Sequence, residues 1–237
     1  MKIVSVIPAF NEEETIARVV SETKRYVDEV IVVDDGSTDE TFAKAQEAGA
    51  LVLKHPENKG KGDALRTGFK LAPGLSADVI VTLDADAQHD PNETPKLLPP
   101  IIEANADVIV GAREKRGMPL IRRLSNSLAS LMLHSLGLRM SDTQCGFRVW
   151  TRKALEATQT QAPRYVAETA MLVQAHKKGL RIVAVPITTI NGEKSSISPP
   201  RDTVQFLDFV LEELFASLRL RISGVLESQR GPRPTAT

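Results

Sequence analysis

The feature that most constrains this chain is an alternation in which short, β-branched apolar runs are each followed by a stretch of helical periodicity. The runs are Lys2–Ile7, Glu29–Val33, Leu51–Lys54, Val79–Leu83 and Asp107–Gly111. Between them, Glu12–Tyr26, Thr38–Ala48, Gly62–Leu71 and a segment around Asn92–Ala104 have helical spacing. Strand, helix and strand joined by short connections read as βαβ units, because parallel strands need a crossover and a helix is the usual one. The expected fold is α/β: a single Rossmann-like domain with a mostly parallel central sheet and helices on both faces. The run Val79–Leu83 is uncharged and apolar but for Thr82, as suits a strand covered on both faces. In open sheets of this kind ligands gather at the carboxyl ends of the strands. Here the polar clusters AFNEE, DDGS, DADAQ and GAR follow those ends and are placed to converge in one crevice.

Composition narrows the function classes. Of 237 residues, 42% are hydrophobic and 25% charged, which excludes collagen-like, disordered and disulfide-scaffold chains. Thirty Lys and Arg balance thirty Asp and Glu, so no global field draws the chain to nucleic acid, and none is expected as a partner. A single cysteine, Cys145, makes neither an internal disulfide nor a cysteine-based zinc site, which suits a cytoplasmic setting. The opening MKIVSVIPAFNEEET turns acidic at once, unlike a secretory signal. No stretch approaches the roughly 18 apolar residues of a spanning helix. The best candidate, Phe206 to Leu226, is broken by Asp208, Glu212, Glu213, Arg219 and Arg221. A soluble or peripheral protein is expected.

Residues 1–111 read as a nucleotide-binding half and residues 112–200 as an acceptor half. In the latter, Leu120–Leu136 and Val166–Lys178 have helical spacing, Arg181–Pro186 reads as a strand, and Gly192–Asp202 as a functional loop. Residues 201–227 form an amphipathic helix with Leu207, Val210, Leu211, Leu214, Leu218, Ile222 and Val225 on one face. That face suits a packed core helix. With Phe206, Phe209, Phe215, Arg219 and Arg221 around it, it also suits a membrane surface or a second copy of the chain. The tail 228–237, SQRGPRPTAT, is expected to be disordered.

Asp84-Ala85-Asp86-Ala87-Gln88-His89 is the strongest chemical signal. Alternate strand residues share a face, so Asp84 and Asp86 point together and Gln88 adds a third oxygen as the chain turns. Two carboxylates and an amide make an oxygen-only site for Mg²⁺ or Mn²⁺, completed by phosphates and water. His89 is expected to be hydrogen-bonded or exposed and not a ligand. Asp35, in the Asp34–Asp39 cluster, is a candidate acceptor for a base or ribose, while Ser37 or Asp39 caps the next helix. Asn58–Gly62 lacks the full phosphate-loop pattern; a plain turn and a phosphate contact both remain open. Arg113, Arg122, Arg123 and Arg148 lie in and beyond the last strand of the nucleotide half, where guanidinium groups suit an acceptor phosphate. Glu168 is the base candidate for a hydroxyl acceptor, or a first-turn helix residue favoured by the dipole.

Taken in order, Val6–Glu12, Val32–Ser37, Asn58–Gly62 with Ala64-Leu65, Asp84–His89, Gly111-Ala112-Arg113 and Cys145–Arg148 resemble family-2 inverting glycosyltransferases of the glycosyltransferase-A fold. The dolichyl-phosphate mannose synthase branch and its polyprenyl-phosphate relatives are the nearest in pattern. The resemblance covers about residues 1–200, and it implies transfer of a hexose from GDP-mannose or a UDP-hexose to a polyprenyl or dolichyl phosphate. It further implies that Pro8, Phe10, Glu12, Val33 and Asp35 line the nucleoside pocket, with Asp84, Ala85, Asp86, Gln88 and Arg113 along the rest of the nucleotide sugar. Asp84, Asp86 and Gln88 would hold Mg²⁺ or Mn²⁺, and Arg113 and Arg122 would take the acceptor phosphate, so that Asp86, Arg113 and Arg122 carry catalysis. Ala87 stands where the family often has Leu, and Phe10 where it often has Tyr. A glycosyltransferase using a saccharide hydroxyl, with Glu168 as base, and a sugar-nucleotide-binding module are the alternatives.

Overall fold

The computed structural model describes residues 1–113, 130, 131, 133, 134, 137, 138, 140, 142–162, 166–188, 190, 208–211 and 213. Seven strands form the sheet among these residues: β1 (Ile3–Ala9), β2 (Glu29–Asp34), β3 (Leu51–Lys54), β4 (Val79–Thr82), β5 (Val108–Arg113), β6 (Arg148–Thr151) and β7 (Ile182–Ile187). Their order is β3-β2-β1-β4-β6-β5-β7. β1 pairs in parallel with β2 and β4, β2 with β3, and β5 with β7. Only β6 runs antiparallel, paired to β4 on one side and β5 on the other. Six strands therefore end at one rim of the sheet, and β6 begins there.

The helices are α1 (Ile16–Thr23), α2 (Thr41–Glu47), α3 (Lys61–Leu71), α4 (Thr94–Leu97), α5 (Pro99–Ile102), α6 (Arg152–Ala157) and α7 (Val166–Lys177). α1 buries Ile16, Val19 and Val20, the i, i+3, i+4 stripe that its spacing announces. α3 lies close on the sheet, since a Cβ at Gly68 would stand 2.3 Å from Val6 Cγ1. β4 is buried along its whole length, consistent with its uncharged run.

The helix expected around Asn92–Ala104 is instead a 3₁₀ turn, Pro91–Glu93, followed by α4 and α5. Pro95, Pro99 and Pro100 account for this, because each removes a backbone donor and its ring crowds the preceding turn. The strand β6 and the helix α6 that follows it have no counterpart among the elements expected from the sequence. The helix at Leu120–Leu136 and the amphipathic helix at 201–227 fall mostly outside the described residues, and the loop Gly192–Asp202 and the tail 228–237 wholly so. Val210 on the apolar face of the latter helix is buried, while Leu211 is exposed. Among the described residues no helix is long and apolar enough to cross a membrane.

Candidate active site

The rim gathers the polar clusters as the topology requires. After β1, Asn11 takes a left-handed backbone (φ 54°) and ties the first loop to the second. Its backbone N–H donates to Ser37 Oγ (2.9 Å), and its side-chain oxygen accepts from the Thr38 N–H (2.9 Å). Thr41 Oγ1 accepts from the Glu12 N–H at 2.8 Å, and Asp39 caps the start of α2 by accepting from the Thr41 N–H. Pro8 and Val33 are neighbours in the β1–β2 register, and Phe10 is 40% exposed beside them. An exposed aromatic at a strand end is unusual for a core and suited to a base.

Asp35 is almost fully buried and holds the protein itself. Its Oδ1 faces His55 Nδ1 (2.7 Å) and accepts from the Lys59 N–H (3.0 Å), while Oδ2 accepts from the Gly60 N–H (2.7 Å). Asp35 thereby fixes the Asn58–Gly62 turn and the start of α3. Gly36 (φ 78°) permits the close pass, since a Cβ there would lie 2.5 Å from the Glu57 carbonyl carbon.

At the end of β4, Ala85 is buried and its carbonyl accepts from Thr15 Oγ1 at 2.7 Å. Asp86 Oδ1 accepts from the Gln88 N–H (3.0 Å), closing a turn in which Ala87 has a left-handed backbone (φ 58°). Burial first, then the charge of Asp86, raises the pKa of Glu12 to about 7. Asp84 Oδ1 sits 2.5 Å from Lys61 Nζ, and the same ammonium lies 2.7 Å from Glu168 Oε2. Burial opposes both charges, but the ion pair overcomes it: Asp84 is held well below the usual carboxylate range and Lys61 is raised.

His89 is buried, with Nδ1 3.7 Å from Asp84 Oδ2 and Nε2 3.6 Å from Cys145 Sγ. Burial pulls its pKa down to about 4, so it is neutral near pH 7. Burial likewise pushes the Cys145 thiol up to about 12, leaving an unreactive thiol.

Of the arginines, Arg113 forms a bidentate pair with Asp142, Nε to Oδ2 at 2.7 Å and Nη2 to Oδ1 at 3.0 Å. Arg148 is buried at the start of β6, where its fork donates to the carbonyls of Cys145 (2.7 Å), Thr143 (3.0 Å) and Glu168. It is a structural arginine and not an acceptor contact. Arg122 and Arg123 lie outside the described residues. Sequence reasoning passed over Lys61 and Gly146. The Lys61 signal was its place immediately after a turn glycine at a helix start. Gly146 stood in the quoted Cys145–Arg148 motif without a role. A Cβ on it would lie 2.7 and 2.8 Å from the Asp84 oxygens and 2.8 Å from Lys61 Nζ.

The donor set fits a hard divalent cation in part. Asp84, Asp86 and Gln88 supply oxygens, and both aspartates lie close enough to add to the effect of burial on Glu12. Among the described residues no group of three or more His, Cys, Asp or Glu side chains is disposed to hold a metal. Two carboxylates with the remaining positions left to substrate oxygens is the pattern of a cation bound together with phosphate.

Glucosyl-3-phosphoglycerate synthase of Mycobacterium tuberculosis in complex with phosphoglyceric acid is one of the solved structures similar to this chain. It aligns with a TM-score of 0.72 and 26% identity over 90% of this chain and 79% of that one. The same enzyme with Mn²⁺, uridine diphosphate and glucosyl-3-phosphoglycerate aligns with a TM-score of 0.70 and 25% identity over 91% and 79%. The fold is that of the glycosyltransferase-A enzymes. The model of glycosyl transferase family 2 matches residues 5–158, and the chain belongs to that family. A UDP-N-acetylglucosamine--dolichyl-phosphate N-acetylglucosaminyltransferase of Methanococcus voltae is 36% identical, covering 80% of this chain and 86% of the relative. An undecaprenyl-phosphate mannosyltransferase of Micrococcus luteus is 30% identical, covering 81% and 85%.

Proposed function

We propose that this glycosyltransferase moves a hexose, with inversion, from GDP-mannose or a UDP-hexose to a polyprenyl or dolichyl phosphate at the cytoplasmic membrane face. The observation that carries the choice of acceptor is the state of Glu168. Its carboxylate is buried, and Oε2 is already held by the Lys61 ammonium at 2.7 Å, so it is not presented to an incoming hydroxyl. A hydroxyl nucleophile needs a base, whereas a lipid phosphate is already anionic near neutral pH and needs only cations to hold it. The named lipid-phosphate acceptors of the relatives support the same reading.

In this reading Pro8, Phe10, Glu12, Val33 and Asp35 line the nucleoside pocket, Asp35 from a position where it also braces the Asn58–Gly62 turn. Asp84, Asp86 and Gln88 would hold Mg²⁺ or Mn²⁺, which when bound neutralises the departing diphosphate. The Mn²⁺ and uridine diphosphate in the structural neighbour support that assignment. Arg113, oriented by Asp142, and Arg122 meet the acceptor phosphate.

Variants separate the acceptor classes. With a polyprenyl phosphate acceptor, Arg113→Ala and Arg122→Ala each lose transfer by roughly a hundredfold, as for removal of one charge-stabilising donor. Both still bind the nucleoside diphosphate, measured by calorimetry. Glu168→Gln keeps substantial activity. A dead Glu168→Gln beside two active arginine variants assigns a hydroxyl acceptor instead. Asp86→Ala abolishes turnover with its melting temperature unchanged, and full activity in excess EDTA disproves metal dependence.

A further inference from the structure

Lys61 occupies an unusual position for a basic side chain. Its ammonium is largely buried and touches two carboxylates with different roles, Asp84 on the nucleotide side and Glu168 at the start of α7. The turn that delivers it is itself braced, because Asp35 accepts from the backbone N–H groups of Lys59 and Gly60 just before it. Space is reserved for the contact as well: at Gly146 any side chain would press on both Asp84 oxygens and on Lys61 Nζ at under 3 Å. Three separate parts of the chain thus maintain one ion pair on a carboxylate proposed to bind a metal.

Resting on that proposed metal site, we infer that Lys61 is a built-in stand-in cation, which blocks Asp84 until a nucleoside diphosphate arrives together with the metal. A divalent cation and an ammonium repel strongly at contact distance, so both cannot sit on Asp84 Oδ1. Metal alone must displace Lys61 from a favourable partner. Metal arriving with a diphosphate brings enough negative charge for both cations, and Lys61, still anchored by Glu168, moves to the phosphate oxygens. The two ligands therefore bind with positive coupling, and Lys61 is the positioning residue that sets its size.

The test is Mn²⁺ binding followed by electron paramagnetic resonance, which needs no turnover. In the absence of nucleotide, Lys61→Met is expected to bind Mn²⁺ about tenfold more tightly than the wild type, within the usual range of site-to-site coupling. With UDP or GDP present this advantage disappears or reverses. Lys61→Arg, which keeps the charge, stays near the wild type. Should Lys61→Met fold poorly, Lys61→Gln carries the same expectation, since it is neutral but polar. Nucleotide-free Mn²⁺ affinity unchanged or weakened in the neutral variant overturns the inference alone. Absence of Mn²⁺ binding to wild type even with nucleoside diphosphate overturns both the inference and the metal site beneath it.

Discussion

Glu12 sits where burial and three aspartates, Asp86, Asp84 and Asp39, act together against a carboxylate, and its pKa rises to about 7 from 4.5. A carboxyl raised on folding stabilises the protein fully below its unfolded pKa and loses that contribution as pH climbs through the folded value. The metal-free protein should thus lose stability from this group between about pH 4.5 and 7. His89 works oppositely: its pKa falls from 6.5 to about 4, so its contribution is lost as pH drops through that window. The two overlap, and Glu12→Gln separates them. Its melting temperature relative to wild type should rise steadily from pH 4.5 to 7, and a flat difference disproves the assignment. Gly36 offers a plainer case. Gly36→Ala combines a left-handed φ of 78° with a Cβ 2.5 Å from the backbone at Glu57, so a loss of at least about 2 kcal/mol is expected by denaturant titration.

At the scale of elements, β6 explains what the sequence conceals. Its four residues, RVWT, show no alternation, and it opens with an arginine. A hydropathy pattern gives no reason to bury a charge there, and Arg148 is nevertheless 1% exposed because three carbonyls and the nearby Glu168 receive it. Arg148→Ala leaves those acceptors unpaired beside a cavity, and the expected loss is roughly 3–5 kcal/mol, measured by urea unfolding. A loss under about 1 kcal/mol would show that water replaces the guanidinium. The parallel strands were legible because their apolar runs are long enough to declare themselves, with Leu51–Lys54 matching the structure residue for residue. The Asp84–His89 cluster was legible for a related reason, since charge directly after a buried strand has no packing role. The Lys61 contacts were not, because they join positions 23 and 107 residues apart in the chain, and nothing local encodes a partner at that range. Asp35 shows the complementary case: its place at the rim could be read, but not that its oxygens also meet His55 and the Lys59 and Gly60 amides.

In the whole molecule the sheet centre lies at β1, β4 and β6, with β3 at one edge. Amide exchange should follow that order, with Val6, Val81 and Val149 slowest and Leu51–Lys54 faster, because edge strands open at lower free energy. Equal protection in β3 and β1 would contradict the topology. The rim on which the chemistry depends is assembled by strand ends arriving and by one strand departing. Arg113 closes β5 and Asp142 precedes β6, and their bidentate contact joins points 29 residues apart. That pair works as a clasp, holding the end of β5 and the approach to β6 as two fixed posts on the rim. If the segment between them meets the acceptor as proposed, exchanging it is expected to change the acceptor used while Asp84, Asp86 and the nucleoside loops keep their places.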